Sequence, residues 1–516
     1  MIEKIMKAVK RSSKRRSVNI TIGAVVGFLL SCSTIIEADE YLWIKEDNGI
    51  KFSADNGVTS VSLDPYSNKN IWNESVKIYI NNMGLTGIDN GSGMEGYGLK
   101  LSGNLEKFKF INNSSIIGTS TKGFGYGIYN NGIVTELINN GSIAGIFSKD
   151  VSLGISNDDI ITTLTNNGSI TGETTESFGS GIANNGTITE LINNGSITGI
   201  AGIDRSYGIS NDDIITTLTN NGSITGEATT GSFGSGIANS GTIGELTNNG
   251  LIKGTAEESF GIGINNTGAI TELTNTGLLV GTAEKSSGYG ISNTGIIEKL
   301  INNGSLMGTA KEWYGYGISN TGIIEKLINN GLVIGTTIGS SSSGITTKNT
   351  ENLINTGVVY GDENAVNNNG TIDSLKNYGI LATKGDSPIK NDGTITLTVN
   401  YGLEIAEATG IVSNGSNYNP MGPPIYVIVG YDENGDPIKR NMTIKNANIQ
   451  GGGSGSGTST DSFVFLSNPT EFDNTILNGK DKTLKVIGTD REILSKNANR
   501  KKGNANRNPS TFRMFS

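Results

Sequence analysis

The amino-acid sequence predicts an all-β fold, a right-handed parallel β-solenoid (β-helix) with 27-residue coils. A Gly-Ile dipeptide recurs at Gly127, Gly154, Gly181, Gly208, Gly236, Gly263, Gly290, Gly317 and Gly344, and the successive intervals are 27 residues except for one interval of 28. Two Asn positions and three aliphatic positions recur at the same spacing through eight consecutive units. A fixed period of about 20–50 residues is typical of solenoids, in which each repeat buries its apolar side by stacking on its neighbours.

The repeated positions fall into aliphatic and polar columns. If one coil is one repeat, each residue lies on its copy one strand spacing, roughly 4.8 Å, along the axis. The aliphatic columns, which begin with Val134, Leu137 and Ile143, are then expected to form the interior. The polar columns are expected to form amide ladders at two corners. They consist of Asn130, Asn157, Asn184, Asn211, Asn239, Asn266, Asn293 and Asn320, and of Asn139, Asn166, Asn193, Asn220, Asn248, Asn275, Asn302 and Asn329.

Glycine is expected to shape the corners. The Asn-Asn-Gly and Asn-Thr-Gly corners suit a positive φ, which costs Gly nothing and Asn little. A Gly column that begins with Gly145 is expected at the third corner. The 74 Gly residues also argue against a solenoid of paired helices, because each Gly costs about 1 kcal/mol in a helix. Short strands between turns fit this composition better.

Residues 1–38 are expected to form a secretory signal peptide. A basic stretch over residues 7–16 precedes the apolar run 20–30, and Ala38 offers a cleavage point. Two alternatives stay open. Residues 18–36 approach the length of an uncleaved membrane anchor. Cys32, the only cysteine, follows Leu-Leu-Ser in a context that resembles a lipobox, which makes it a candidate lipidation site.

The remaining chain divides into three regions and a tail. Residues 39–110 are expected to form an N-terminal cap and the first irregular coils. Residues 111–410 should hold the solenoid repeats, about eleven or twelve coils with a length on the order of 50–60 Å. Residues 411–490 are expected to be an irregular β region with a Gly/Ser linker at 451–457. Residues 491–516 are a basic polar tail, either a disordered extension or a frame-shifted or truncated end.

Charge and composition exclude several classes of function. Residues 39–490 hold 25 basic and 45 acidic residues, a net charge of −20, so that no nucleic-acid partner is expected. The chain has no His, which excludes Ser-His-Asp and Cys-His nucleophilic sites and His-ligated zinc. We therefore expect no catalytic residue, no metal and no cofactor.

One enzymatic alternative stays open. Some β-solenoids cleave acidic polysaccharides with carboxylates clustered on one side of the coil stack, and the best acidic cluster here is Asp158, Asp159, Asp212 and Asp213. The two pairs belong to a duplication, since residues 156–173 recur unchanged at 210–227. At two strand spacings, about 10 Å apart, they could bind a cation or assist hydrolysis. The competing interpretation is that Asp replaces Asn and Gly at exposed corners.

A binding surface is expected on the variable ridge, the stretch that precedes each Gly-Ile dipeptide. Variation on one side of a repeat array is where ligand contacts concentrate. Aromatic residues gather there, and the candidate binding residues are Trp313, Tyr314, Tyr316, Tyr289 and Tyr207. Such rings can contact glycans or proteins. The alternative is that the rings cap the interior at a wide corner, with some of them pointing inward.

The basic leader at residues 7–16, the apolar run after it and the Gly- and Asn-rich solenoid together resemble autotransporter-type surface proteins of Gram-negative bacteria. The resemblance implies an extended signal peptide and a passenger region over residues 39–490. It implies a secreted protein of the cell surface or outer membrane, most often an adhesin. Its partners would be host or bacterial surface proteins or glycans. The sequence departs from that family after Gly402, where 114 residues that include Pro420, Pro423 and Pro424 and show no series of alternating strands stand in place of a membrane barrel.

Overall fold

The computed structural model describes residues 41–54, 59–89, 95–121, 123–147, 149–230, 233–400 and 403–406. Farther along the chain it describes only the backbone of short strands, which are Ile411–Asn414, Ile428–Tyr431, Pro437–Lys439, Asn441–Thr443, Asn448–Gln450, Val464–Leu466, Asp490–Arg491 and Phe512–Arg513. The predicted signal peptide, Cys32 and the Gly/Ser linker at 451–457 lie outside the described residues.

The predicted parallel β-solenoid with 27-residue coils is confirmed. A typical coil contains the strands Val151–Asn157, Ile160–Asn166 and Ser169–Thr174, and each pairs in parallel with its copies in the coils before and after. These strands define three faces, here called the first, second and third face in chain order. The first two faces belong to a 24-stranded sheet and the third to a 15-stranded sheet, and about 12 coils are stacked.

Most coils contribute one strand to each face. The first-face strands are Val151–Asn157, Gly179–Asn184, Arg205–Asn211, Phe233–Asn239, Phe260–Asn266, Gly288–Asn293, Gly315–Asn320 and Ile389–Asn391. The second-face strands are Ile160–Asn166, Thr187–Asn193, Ile214–Asn220, Thr242–Asn248, Ala269–Asn275, Ile296–Asn302, Ile323–Asn329 and Thr394–Asn400. Four long strands bend through both faces, and they are Glu95–Asn112, Phe124–Asn139, Ser342–Asn355 and Asn364–Asn377.

The third face is a single run of strands along the axis. Its strands are Leu85–Asp89, Ser115–Ser120, Ser142–Phe147, Ser169–Thr174, Ser196–Ala201, Ser223–Ala228, Leu251–Ala256, Leu278–Ala283, Ser305–Ala310, Leu332–Thr337, Val358–Gly361, Ile380–Thr383 and Leu403–Ala406. At its C-terminal end Ile411–Asn414 pairs antiparallel with Leu403–Ala406.

Antiparallel strands occupy the N-terminal end. Leu42–Glu46 pairs with Ile50–Ser53, and Ile71–Asn73 pairs with Ile78–Asn81. The first of these four strands also pairs in parallel with Glu95–Asn112. The edge of the first coil is thereby hydrogen-bonded rather than open, which protects it from pairing with other chains.

The interior consists of the predicted aliphatic columns. Ile161, Leu164 and Ile170 are fully buried, as are most of their copies in the other coils. They form one continuous hydrophobic core from Leu42 to Leu381. Burying each such side chain contributes about 1.5–3 kcal/mol, so stacking is the main source of stability.

Both predicted Asn ladders are present. In the first, Asn130 Nδ2 donates to Asn157 Oδ1 at 2.7 Å, and the series continues to Asn320. The second ladder runs from Asn81 to Asn400 without a break. In both ladders, each amide donates to the coil that follows.

The corners do not use the positive φ that the sequence suggested. Among the described residues, positive φ occurs at Gly49 and Gly103 and at three non-glycine residues, none of which belongs to an Asn-Asn-Gly or Asn-Thr-Gly corner. The corner glycines are needed for close approach instead. A Cβ on Gly168 would lie 1.9 Å from the carbonyl oxygen of Gly141 in the preceding coil.

The Gly145 column is not at a corner. Gly145 lies inside the third-face strand Ser142–Phe147. A Cβ there would lie 2.0 Å from the carbonyl oxygen of Leu153 in the first face, and Gly172 meets Ser180 in the same way. The first and third faces therefore converge on a narrow edge, and glycine is required because two backbones meet there.

Candidate binding face

Tyr207, Tyr289 and Tyr316 lie on the outer side of the first face, and Trp313 and Tyr314 lie in the loop that precedes the first-face strand Gly315–Asn320. The strand pairing skips the glycine of each Gly-Ile dipeptide, so that Leu153 pairs with Tyr126, Ile155 pairs with Ile128, and Gly154 is left out. At this kink the glycines point inward, since a Cβ on Gly127 would lie 2.6 Å from Ile143 Cγ2 in the core. The rings beside them point outward and pack against one another, so the alternative in which they cap the interior is wrong.

Four of the five predicted binding residues come together. With Phe233 and Phe260 they form the aromatic row, a line of stacked rings along the solenoid axis. Among its five Phe and Tyr rings, neighbouring centroids are 5.3–5.9 Å apart and their planes differ by 18–23°. The order of the row is Phe233, Phe260, Tyr289, Tyr316, Tyr314 and, at its end, Trp313.

Stacking decides which ring surfaces a ligand could reach. The flat surfaces of the Phe and Tyr rings are covered by the neighbouring rings, and these side chains are only partly exposed. Trp313 differs from them, because it meets Tyr314 at 75° with centroids 6.0 Å apart and is 54% exposed. The Thr337 hydroxyl donates to the Trp313 carbonyl at 2.7 Å and fixes the backbone of this loop. The indole of Trp313 is therefore the accessible aromatic surface of the row.

The hydroxyls of Tyr289 and Tyr316 remain protonated at neutral pH. Burial raises the pKa of Tyr289 and Tyr316 above the ordinary value, and neighbouring Tyr hydroxyls add to the effect. A neutral phenol both donates and accepts hydrogen bonds. The row thus offers polar hydroxyl groups beside the exposed Trp313 indole.

Tyr207 lies apart from the other four residues. Its ring packs edge-on against Phe178, with centroids 5.4 Å apart. Along its own column, the next positions toward Tyr289 are Ser235 and Ile262. Because neither of those side chains is aromatic, the stack is interrupted there.

A second aromatic group, which the sequence reasoning missed, lies on the same face near the N-terminal end. Lys100 Nζ lies 5.1, 4.8 and 5.4 Å from the ring centroids of Trp43, Tyr97 and Tyr129. Tyr97 also stacks on Tyr126 at 5.2 Å. Cation–π contacts of this kind stabilise by about 0.5–2 kcal/mol. The spacing of Tyr97-Gly98-Leu99 from Tyr126-Gly127-Ile128 was the signal that could have revealed the group.

The acidic residues of the enzymatic alternative occupy the exposed corner between the first and second faces. Asp158 Oδ1 accepts a hydrogen bond from Asn185 Nδ2 at 2.9 Å, and Asp212 accepts one from the Ser240 hydroxyl. Asn185 lies between the two carboxylates in the column. In the part of the chain that the structure describes, no three His, Cys, Asp or Glu side chains gather closely enough to hold a metal ion.

Within the described ranges, no helix has the length and hydropathy needed to cross a membrane. The fold defines the chain as a parallel β-solenoid protein. No protein-family model, curated protein or solved structure matches the sequence.

Proposed function

We propose that this protein is a secreted, cell-surface structural and adhesive protein of the autotransporter-passenger type. Its partners would be glycans or proteins on host or neighbouring bacterial surfaces. The observation that carries the proposal is the aromatic row, which places an exposed Trp313 and several Tyr hydroxyls on the outer side of a long solenoid.

The geometry favours a contact centred on one end of the row. An apolar sugar face or an aliphatic side chain would pack against the Trp313 indole, while polar groups of the ligand would reach the hydroxyls of Tyr314 and Tyr316. Large aromatic side chains that remain partly exposed are typical anchors of binding surfaces. Because the hydrogen bond from Thr337 holds the Trp313 loop against the next coil, binding there costs less ordering of the backbone than binding to a free loop would.

The test is binding of the purified protein to a glycan array and to intact bacterial and host cells. Replacing Trp313 by Ala together with Tyr314 by Ala should lower affinity at least about tenfold, the effect of removing one or two anchor residues. Tyr378→Ala is the matched control, because Tyr378 is 49% exposed at a different corner. Equal binding by both variants and the wild type would sink the proposal.

A further inference from the structure

The outer side of the second face contains one short motif twice. Ile-Ile-Glu-Lys-Leu-Ile occurs at residues 296–301 and again, unchanged, at 323–328. The strand pairing skips Glu298 and Glu325, a local bulge that turns two successive side chains outward. Each copy therefore presents Ile, Glu, Lys and Ile to solvent, while Ile297 and Leu300 are fully buried.

The stacking places like charges over like charges. Lys299 pairs in register with Lys326, and Glu298, Glu325 and Glu351 follow one another in the adjacent outward positions. Like charges directly opposite each other destabilise a sheet. Nothing in the solenoid repeat requires them, because the corresponding residues two coils earlier are Gly244 and Glu245, and three coils earlier Thr216 and Thr217.

Elsewhere this protein pairs opposite charges between coils. Lys109 and Glu136 are joined at 2.6 Å, and Lys285 with Glu258 and Lys311 with Glu284 follow the same pattern. Lys299 has such a partner in Glu272 at 3.0 Å. For Glu298, Glu325, Glu351 and Lys326, no ion pair exists within the described residues. A shallow groove follows these side chains from Thr271 to Asn352.

The outward-facing side chains of the motif are complementary in charge to the same side chains read in the opposite strand direction. Read outward along one strand it is Ile, Glu, Lys, Ile, and read backward it is Ile, Lys, Glu, Ile. A two-fold axis parallel to the solenoid axis, running between the Glu and Lys columns, reverses the strand direction and preserves the height of each coil. It would place Glu298 against Lys299 of a second copy, and Ile296 against Ile301, in a closed isologous contact.

We propose that this part of the second face is a self-association surface, which binds a second copy of the chain with the two solenoids parallel. The occupant is fixed by charge complementarity. An antiparallel arrangement keeps the order along each strand and would bring Glu against Glu and Lys against Lys. Only the parallel arrangement pairs both columns with opposite charges.

The size of the patch sets the strength of the contact. Three coils of seven-residue strands cover about 300 Å² per copy, which is below the roughly 800 Å² of a stable interface. Ile296 and Ile323, which are 44% and 42% exposed, provide the apolar area. We therefore expect a weak dimer whose affinity falls as salt rises, because the paired charges are near solvent.

The test is sedimentation of the purified full chain at low and high salt, with two charge-reversed variants. Lys299→Glu with Lys326→Glu makes both charged positions of each repeated motif acidic, and Glu298→Lys with Glu325→Lys makes both of them basic. Each variant alone should be monomeric, with a dissociation constant at least about tenfold above wild type. An equimolar mixture should form heterodimers, which also shows that both variants are folded.

Lys285→Glu with Lys311→Glu makes the same change of charge away from the second face and should leave the dimer intact. A wild-type protein that stays monomeric at about 200 μM in low salt overturns the proposal, and so does a mixture that forms no heterodimer.

The relative direction of the two solenoids in the dimer can be measured by disulfide cross-linking. In a Cys32→Ser background, Asn352→Cys places one exposed thiol beside the proposed axis. Oxidation should link it to its own copy if the solenoids are parallel. In an antiparallel pair centred on the repeated motif the two thiols would lie about three coils apart, and the absence of a cross-link in a proven dimer overturns the parallel arrangement.

Discussion

A buried Asn in this solenoid uses its whole amide. Asn184 Nδ2 donates to Asn211 Oδ1 at 2.8 Å and to the carbonyl oxygens of Gly186 and Ile214 at 2.7 and 3.0 Å. Its own Oδ1 accepts from Asn157 at 2.8 Å. A polar side chain in the interior is costly unless it is hydrogen-bonded, and here the stacked copies supply the partners.

Replacing Asn184 by Ala should therefore cost about 2–3 kcal/mol, because it leaves Asn211 Oδ1 buried without its donor. The matched control is Asn194→Ala. Asn194 belongs to an exposed ladder of corner Asn residues, one position after the second buried ladder, and it donates to Asn167 at 2.9 Å. That change should cost about 0.5 kcal/mol or less, since water replaces the lost partner. Denaturant unfolding followed by circular dichroism measures both. Equal losses at the two positions would contradict the argument.

Residue-level reasoning from the sequence identified which positions repeat but gave the wrong reason for some of them. A recurring Gly at a corner is compatible with positive φ and with close backbone approach, and both demand the absence of Cβ. Gly168 and Gly145 belong to the second case, which depends on distances between coils that are far apart in the chain.

In the third-face strands, the environment of an outward-pointing side chain is set by its register partners in the coils before and after it. Glu173 points outward between Ile146 and Ile200, its register partners. Because these neighbours exclude water, burial raises the pKa of the Glu173 carboxyl above its ordinary value. The folded state thus favours the protonated acid.

The consequence is a dependence of stability on pH. The stability associated with Glu173 is fully present below the ordinary pKa of a carboxyl and is lost as pH rises through the raised pKa of the folded state. Glu173→Gln should remove this loss, so its advantage over wild type should grow as pH rises above about 4.3, the ordinary pKa of a Glu carboxyl. Urea unfolding at a series of pH values measures it, with Glu190→Gln on the second face as a control for net charge. A constant difference across the series would rule out this origin.

Prediction from the sequence was right for side chains whose inward direction follows from the 27-residue period alone. It was wrong where the strand departs from the regular alternation of inward and outward side chains. The aliphatic columns that begin with Val134, Leu137 and Ile143 are inside as predicted. Alternation of the rings with Gly suggested that some rings point inward, but the skipped pairing at Gly154 reverses the side on which they lie. The binding role of Trp313, Tyr314, Tyr316, Tyr289 and Tyr207 stays a prediction.

The described coils form a stack, and the length of this stack is proportional to the number of coils. Because each coil contacts mainly the coils before and after it, whole coils can be removed without disturbing the rest. Residues 156–209 comprise 54 residues, or two coils, and their removal joins Ile155 to Ser210, which continues the same register.

Deleting residues 156–209 should leave a folded protein that is shorter by about 10 Å. Small-angle scattering measures the maximum dimension, and binding to surfaces should persist because the aromatic row is retained. Deleting the 40 residues 156–195 is the out-of-register control and should prevent folding. Loss of folding in the in-register deletion would show that the coils are not interchangeable.

The two buried Asn ladders have a direction. Every amide donates toward the C-terminal coil, and the first members, Asn81 and Asn130, have an oxygen with no hydrogen-bond partner in the described structure. The exposed ladder runs the other way, with Asn140 donating back to Asn113 at 2.9 Å. Each coil therefore offers two groups to the coil that follows it. Its buried Asn amides offer an N–H donor, and its exposed corner Asn offers an oxygen that accepts a hydrogen bond. We therefore expect each folded coil to act as a template for the coil that follows it in the chain, as one layer of a crystal does for the next.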